Sequence, residues 1–458
     1  MSRNPWSEDL MPRHPLLLLA LALAVILADL NPQQPGRGPA AAWADDDDDD
    51  RGDDDDDDDD APLRRRPAPQ PVVRVAPLPQ LAPNEVIARG LSSADLRVLQ
   101  DAGFRVLRRV ALADGASLHR LRKPDRMSMQ EARATVRDMG SANAADFNHF
   151  YRPGNAAPAC SGADCPARQM IAWPADTSGC GGPVRIGMVD TGLNADHAVL
   201  KDARIAVHRI DRGKGTRSDA LHGTAVAALL VGRADSRSPG LVPQAELVAV
   251  DAFHKQREDE RADAFALVEA LDYLSAQQVD IVNLSLAGPP NEALRAQIQQ
   301  MARQDIVLVA AAGNGGPAAK PAFPAAYEQV IAVTAVDRRE QVYRRANRGK
   351  HIDLAAPGVN VWTAASISGA RTKTGTSFAA PFVTAAAALL LQAEPQLTAS
   401  QVRARLQLGA RDLGKAGLDE VFGHGLVRPI PACTSPAGGP SRHGQAASAM
   451  PADGSGMR

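Results

Sequence analysis

A serine hydroxyl stands at the start of a predicted helix in the segment TKTGTSFAAPFVTAAAALLLQAEP, residues 372–395. At a helix N-terminus, free N–H groups and the helix dipole favour negative charge, so an oxyanion formed beside Ser377 would be stabilised. Its small neighbours Gly375, Ala379 and Ala380 leave room for a substrate chain. The segment is therefore typical of a nucleophilic serine.

Such a serine is a weak nucleophile at neutral pH, and it needs a base that a carboxylate holds in the right tautomer. His222 opens the helical segment LHGTAVAALLVG, and Asp190 ends the apolar run VRIGMVD. Gly313 and Asn314 end a further apolar run, IVLVAAAGN. These residues supply the types that the chemistry requires.

Each residue also has a simpler explanation. Ser377 could be a helix N-cap, and His222 a buried histidine at a helix start. Asp190 and Asn314, each close to a glycine, could be turn residues. One shared site explains all four positions more economically than four unrelated local roles do.

The elements that must position these residues form five continuously apolar runs, which indicates strands buried on both faces of a parallel sheet. The runs are VRIGMVD (184–190), AELVAVDAF (245–253), VDIVNLSLA (279–287), IVLVAAAGN (306–314) and QVIAVTAVD (329–337). Helical patterns such as RADAFALVEALDYLSAQ and NEALRAQIQQMARQ lie between them. The pattern predicts an α/β fold, a largely parallel sheet with helices on both faces, whose chemistry gathers at the carboxyl ends of the strands.

The amino-terminal part of the chain is of a different composition. Residues 1–44 contain the apolar run LLLLALALAVILA (16–28) and then Ala-Trp-Ala, which predicts a signal peptide; a retained membrane anchor at 16–28 is the alternative. Residues 45–83, acidic and then rich in Pro and Arg, predict a disordered linker. Residues 45–60 contain 14 of the 53 acidic residues of the chain. The other 39 acidic residues stand against 51 Lys and Arg, so the rest of the chain is mildly basic.

The rest of the chain divides at changes of pattern. Residues 84–153 predict a small α+β domain that contains two helices and several strands. Residues 154–167 are an irregular, Pro-containing linker, and residues 168–433 form the main domain. Residues 434–458, rich in Gly, Ala, Ser and Pro, predict a disordered tail.

Four cysteines allow two disulfides in an oxidising compartment, with three alternative pairings. We favour Cys160 with Cys165 and Cys180 with Cys433, because the second pair would join the two ends of the main domain. A zinc site would require a CxxC pair or nearby His ligands, and the sequence has neither. No metal ligand is therefore assigned.

Four motifs together resemble those of the subtilisin-like serine peptidases, the subtilases, over residues 168–430. They are IGMVDTGLNADHAVL, HGTAVAALLVG, AAAGNGG and GTSFAAPFVTAAAALLL. Their order, Asp then His then Ser, is that of subtilisin. The resemblance implies a serine endopeptidase in which Asp190, His222 and Ser377 are catalytic, with Asn314 in the oxyanion hole.

The resemblance also implies where substrate lies. Ser285, Leu286 and Ala287 would form an edge strand to which an extended peptide adds by backbone pairing, and Gly313 would line the first side-chain pocket. Residues 84–153 resemble the family propeptide in position and in α+β pattern. This implies an intramolecular chaperone and inhibitor that is cut off within the segment from 153 to 172.

Three departures from the family pattern bear on function. Ala225 replaces a second His that is common in the His motif, and Ala287 replaces a common Gly on the substrate strand. The loop at 232–240, GRADSRSPG, is too short for the usual calcium-binding loop. We therefore expect that calcium site to be missing; catalysis requires no cofactor, and calcium elsewhere stays undecided.

The expected protein is an exported, monomeric serine peptidase that acts on proteins or peptides and not on nucleic acid. Two other classes of function remain as alternatives. Asp-Thr-Gly at 190–192 also resembles the signature of aspartic peptidases, which need two such carboxylates side by side. The chain has one such triplet, so this requires a dimer. The other alternative is an exported binding protein that keeps the fold without activity.

Overall fold

The computed structural model of this chain describes residues 78–142, 144–153, 167–211, 216–429 and residue 433. All of them belong to one compact unit that begins at Val75. The predicted signal peptide, the poly-Asp segment, nearly all of the 154–167 linker and the carboxyl-terminal tail lie outside the described residues.

The described chain folds into strands and helices that alternate along the main domain. The strands are β1 (Leu81–Arg89), β2 (Arg105–Ala111), β3 (Ser117–Arg122), β4 (Ala144–Pro153), β5 (Arg185–Asp190), β6 (Ile205–Arg209), β7 (Thr216–Arg217), β8 (Glu246–Asp251), β9 (His254–Gln256), β10 (Asp259–Asp263), β11 (Ile281–Leu284), β12 (Leu286–Ala287), β13 (Val307–Ala311), β14 (Val330–Val336), β15 (Leu354–Pro357), β16 (Val361–Ala364) and β17 (Ala370–Lys373). The helices are α1 (Ser93–Asp101), α2 (Met129–Arg137), α3 (Ala167–Met170), α4 (Leu221–Val231), α5 (Ala264–Ala276), α6 (Glu292–Arg303), α7 (Thr376–Ala393) and α8 (Ala399–Gly409).

The central sheet has seven strands in the order β15-β14-β13-β11-β5-β8-β6, and every neighbouring pair is parallel. This confirms the predicted α/β fold with a largely parallel sheet. The apolar runs correspond to its inner strands. The two edge strands were not predicted, because neither has a long apolar run. β6 is largely exposed, and β15 is only four residues long.

Helices cover both faces of this sheet, and alternate residues of one strand point to opposite layers. In β13, Val307 and Val309 pack into the cluster that contains α4 and α7, whereas Leu308 packs into the cluster that contains α5 and α6. The two clusters bury nearly all of the apolar strand residues. The sheet is therefore held from both sides, and its strand ends are fixed in place.

Residues 81–153, here called the amino-terminal unit, form a four-stranded antiparallel sheet in the order β2-β3-β1-β4. Val86 and Ala88 on one face of β1 pack against α1 and α2, whereas Ile87 on the other face joins the cluster of α5 and α6. The same sheet continues through β4 into β10. The unit thus packs directly on the main domain.

The first strand of this unit begins earlier than the sequence indicated. β1 starts at Leu81, inside the stretch predicted as linker up to residue 83, and Leu81 lies opposite His149 of β4. A register shift separates this pair from the regular pairing that begins at Val86, and Asn84 between them has a φ of +63°. Because of Pro83 and the irregular backbone, the start of this strand lacks the regular pattern by which a strand is recognised in a sequence.

A disulfide joins Cys180, near the start of the main domain, to Cys433. Cys160 and Cys165 lie outside the described residues, so their pairing stays a prediction. One described helix, α7, is long and apolar enough to cross a membrane, but 94% of it is buried inside the protein. It is a core helix, and the anchor proposed at 16–28 lies outside the described residues.

Candidate active site

Asp190 and His222 are in direct contact where β5 ends and α4 begins. His222 Nδ1 lies 2.6 Å from Asp190 Oδ1, which also accepts a hydrogen bond from the Thr191 N–H at 2.7 Å. Both side chains are buried. No group of the described chain hydrogen-bonds to His222 Nε2. An imidazole held this way through Nδ1 presents Nε2 for proton exchange.

A glycine permits this contact. Gly223 follows His222, and a Cβ atom there would lie 2.5 Å from the Gly192 carbonyl oxygen and 2.6 Å from that of Thr191. The Gly223 N–H donates to Thr191 Oγ1 at 3.0 Å. The first turn of α4 therefore sits against the loop after β5 only because position 223 has no side chain, and this brings the imidazole to the carboxylate.

Ser377 lies in the first turn of α7, and the next residue of that turn contacts the imidazole. Gly375 precedes the helix with a φ of +149°, a conformation that favours glycine. The aromatic ring of Phe378 has its centroid 5.1 Å from that of His222. The starts of α4 and α7 thus meet, and the histidine ring lies next to the turn that carries the serine.

A proline and three polar side chains hold the serine turn in place. Pro381 has no N–H to donate to the carbonyl of Ser377 four residues earlier, and Ser285 Oγ donates to that carbonyl instead, at 2.7 Å. Ser285 Oγ accepts from Asn283 Nδ2 at 2.9 Å, and Thr384 Oγ1 donates to Asn283 Oδ1 at 2.9 Å. This buried network fastens α7 to the end of β11.

Asn314 contacts the residue before the serine. Its Oδ1 accepts hydrogen bonds from the Thr376 N–H at 3.0 Å and from Thr376 Oγ1 at 2.9 Å. The Gly313 N–H donates to the same Thr376 hydroxyl at 3.1 Å. Because Oδ1 is committed to Thr376, the Nδ2 amide of Asn314 is the donor that remains for a negative charge near Ser377.

The predicted substrate strand is paired with the chain's own amino-terminal unit. β12 runs antiparallel to the end of β4, with Leu286 opposite Pro153 and Ala287 opposite Arg152. β10 pairs with the other edge of β4. The end of the amino-terminal unit therefore lies between two strands of the main domain, in the manner of an added β-strand.

The arrangement of these residues agrees with a comparison of the sequence with known families. The profile of the Subtilase family matches residues 181–425, more than half of the chain. The chain belongs to the subtilase family. Every site residue described above lies inside the matched range. Membership implies a serine-type peptidase, a hydrolase whose substrates are proteins.

The relatives that this subtilase matches include subtilisins and an extracellular protease. It is 32% identical to subtilisin DY of Bacillus licheniformis over 252 residues, which are 54% of this chain and 89% of that protein. It is 31% identical to the minor extracellular protease Epr of Bacillus subtilis (strain 168) over 265 residues, 57% of this chain. That match spans only 40% of Epr.

A solved structure supports the fold. Fervidolysin from Fervidobacterium pennivorans, described as a keratinolytic enzyme related to subtilisin, aligns with a TM-score of 0.63 and 19% sequence identity. The alignment covers 76% of this subtilase and 60% of fervidolysin. At this identity the likeness concerns the subtilisin-like fold alone.

Three residues of the site were missed by the sequence analysis: Asn283, Thr376 and Thr384. Asn283 interrupts the apolar run VDIVNLSLA, and Thr384 interrupts the apolar face of α7. A buried polar residue in such a run must find a partner, so the interruption itself is a usable signal. Nothing in the sequence shows which partner each one finds.

The loop at 232–240, expected to lack a calcium site, closes tightly on itself. The Gly240 N–H donates to the Gly232 carbonyl at 2.7 Å, and Arg233 pairs with Asp235 at 2.7 Å. Across the described ranges, no three His, Cys, Asp or Glu side chains group to hold a metal ion. The absence of the calcium site from this loop stays a prediction, and calcium elsewhere stays undecided; activity measured with and without a chelator tests both.

Glu260 is a partly buried carboxyl whose charge interacts with that of His222. Burial raises the pKa of Glu260 to about 7, and the negative charges of Asp219 and Asp190 act in the same direction. The Asp219 N–H donates to its Oε1 at 2.6 Å and opposes this shift. Glu260 therefore changes charge within the pH range in which a histidine base works.

We expect Glu260→Gln to gain stability over the unaltered protein as pH rises from 4.5 to about 7, because the Glu260 carboxyl is harder to ionise in the folded protein than in the unfolded chain. The neutral amide has no such cost. Thermal unfolding at pH 5 and at pH 8 measures the difference, and the exposed neighbour Glu258 provides the control Glu258→Gln. The same difference in stability at both pH values would show that burial does not hold this carboxyl neutral.

Proposed function

We propose that this chain is an exported serine endopeptidase that cleaves peptide bonds through Asp190, His222 and Ser377. Ser377 attacks the scissile carbonyl while His222 Nε2 takes its proton, and His222 later protonates the leaving amine. The acyl-enzyme is hydrolysed by water along the same path. Asp190 keeps Nδ1 protonated and stabilises the imidazolium, and Asn314 Nδ2 donates to the oxyanion together with the Ser377 N–H.

The observation that carries the proposal is the 2.6 Å contact between His222 Nδ1 and Asp190 Oδ1, in a buried pair whose ring packs beside the Ser377 turn. The pair alone could be structural. It gains chemical meaning from its place, since a nucleophile on a helix N-terminus and an amide donor anchored by Thr376 lie around it. These are the parts that acyl transfer requires.

We further propose that the amino-terminal unit assists folding and blocks the cleft until it is cut off. Its side chains supply acceptors to the starts of two helices of the main domain: Asn148 Oδ1 accepts from the Phe265 N–H at 3.1 Å, and Asp146 Oδ2 accepts from the Glu292 N–H at 3.2 Å. These bonds satisfy helix N–H groups that otherwise lack a partner. A template that completes α5 and α6 would favour their formation.

The same unit enters the proposed substrate site. Tyr151 is fully buried, and its hydroxyl donates to the Pro289 carbonyl at 3.0 Å. Its ring packs directly on Gly288, where a Cβ atom would lie only 2.4 Å from the ring atom Cδ1. Beyond Pro153 the direction of the strand leads towards Ser285 and the Ser377 turn. We therefore place the first cut in the segment from 153 to 172, made by Ser377 itself.

Three features support export. One relative is an extracellular protease, the Cys180–Cys433 disulfide suits an oxidising compartment, and the first 44 residues have the pattern of a signal peptide. N-terminal sequencing of the exported protein would locate both processing points. We expect one at the end of the signal peptide and one after Pro153.

A fluorophosphonate probe, which forms a covalent bond with activated serines, tests the chemistry. We expect a single labelled peptide that contains Ser377, and loss of casein hydrolysis in proportion to labelling. Prior denaturation should abolish labelling, because activation depends on the folded site. A folded, processed protein that neither takes the label nor cleaves casein would favour the non-catalytic binding protein, and cleavage without labelling would favour the aspartic mechanism. Against the latter, Asp190 contacts an imidazole rather than a second carboxylate.

A further inference from the structure

A charged pair joins the end of the amino-terminal unit to the main domain. Arg152 Nε donates to Asp259 Oδ1 at 2.8 Å, and Arg152 Nη2 donates to Asp259 Oδ2 at 3.0 Å. These two parallel bonds use both oxygens of the carboxylate, an arrangement that a guanidinium can make and an ammonium cannot. The Asp259 side chain is only 6% exposed, and that of Arg152 is 21% exposed.

Asp259 is held in position by Arg261 of its own hairpin, which in turn packs on the amino-terminal unit. It begins β10, where Arg261 Nη1 donates to Asp259 Oδ2 at 2.5 Å, and the Arg261 guanidinium stacks over the ring of Phe150 at 3.8 Å. Burial favours the neutral acid, but the hydrogen bonds and charges of Arg152 and Arg261 outweigh it and lower the pKa of Asp259. With Arg152 bound, the carboxylate is therefore charged, and Arg261 stays beside it when the amino-terminal unit is removed.

The pair lies in the path that a substrate would follow. Arg152 stands opposite Ala287 on β12, and the following residue, Pro153, stands opposite Leu286. The residue directly before that strand, Ser285, donates to the carbonyl of Ser377. Arg152 therefore lies a short distance before the bond that Ser377 would attack.

We propose that Asp259 makes this peptidase select arginine at the substrate residue that pairs with Ala287. The inference rests on the proposed peptidase function and deepens it. The amino-terminal unit presents its own arginine in the geometry in which a substrate arginine would bind. One contact is special to the unit, since Arg152 Nη2 also donates to the Pro79 carbonyl, and a separate peptide would lack it.

The test uses the processed protein, from which the amino-terminal unit has been cut off, and internally quenched peptides based on FNHFYRPGNAAPA, residues 147–159. The arginine is retained or replaced by citrulline, lysine or glutamate. Citrulline keeps the length and planarity of arginine but has no charge. We expect kcat/KM to fall about tenfold from arginine to citrulline, less for lysine and more for glutamate, because a hydrogen-bonded charge is lost. Mass spectrometry of the products identifies the bond that is cut.

The enzyme side is tested with Asp259→Asn, with the adjacent exposed Glu258→Gln as the matched control. Asp259→Asn should reduce the ratio of kcat/KM for arginine over citrulline to about one, because the uncharged amide cannot distinguish them by charge. Glu258→Gln should keep the full ratio. Since Asp259 also pairs with Arg261, its variant could fold poorly, and the comparison of peptides on the unaltered protein does not depend on it.

The outcomes separate the two proposals. A protein that labels at Ser377 and cleaves the arginine and citrulline peptides equally would overturn the role of Asp259 and leave the peptidase function intact. A cut directly after the arginine would place that residue in a different subsite and overturn the pairing. Failure to label and to cleave any peptide would remove the peptidase function, and the inference with it.

Discussion

Ser377→Ala is expected to lower kcat towards a peptide by about 10⁶-fold, as loss of the equivalent serine does in subtilisin, and to leave the chain uncut between residues 153 and 172. Alanine keeps the helix start, since the buried turn is held by Thr376 through Asn314 and by the Ser377 carbonyl through Ser285. The variant should therefore fold and accumulate as a longer precursor, seen by gel and N-terminal sequencing.

Two controls separate chemistry from processing. The exposed Ser368→Ala should process and cleave like the unaltered protein. Adding a small amount of active enzyme, later blocked with fluorophosphonate, should trim the Ser377→Ala precursor to mature length without restoring activity. If Ser377→Ala without added enzyme had the same N-terminus as the mature protein, another protease would be responsible for the cut, and self-processing would be excluded.

The fold and the site differ in how much of them the sequence could predict. The inner strands are apolar on both faces because helices cover both sides of the sheet, so their pattern is continuous and easy to identify. The edge strand β6 faces solvent and has no such pattern. The candidate site residues could be proposed from the sequence because each stands at a strand or helix end, and because the subtilase motifs occur in the right order.

The contacts between distant segments could not be predicted in this way. Arg152 and Asp259 are separated by 107 residues, and neither belongs to a motif. Their pairing depends on β4 lying between β10 and β12, which follows from a register that only the folded chain determines. The same holds for the Asn283–Ser285–Ser377 network, in which the polar residues are visible in the sequence but their partners are not.

Asn314→Asp is expected to reduce kcat by about 10²–10³-fold, the range known for loss of the equivalent donor in subtilisin, with little change in KM. The aspartate keeps an oxygen to accept from Thr376, so the anchor survives, but it has no N–H to donate to the oxyanion. Its negative charge also opposes the charge that develops in the transition state. Steady-state kinetics on one peptide measure the effect, and thermal unfolding checks the fold.

Thr376→Val provides the matched comparison for that prediction. It removes the hydroxyl that donates to Asn314 Oδ1 and accepts from the Gly313 N–H, but keeps the Thr376 N–H and hence one of the two anchors of the amide. The donor Nδ2 is still present in this variant, so kcat should fall by less than in Asn314→Asp. Equal losses in the two variants would mean that Asn314 acts by supporting the Ser377 turn rather than by donating to the oxyanion, because only a structural role is shared by both substitutions.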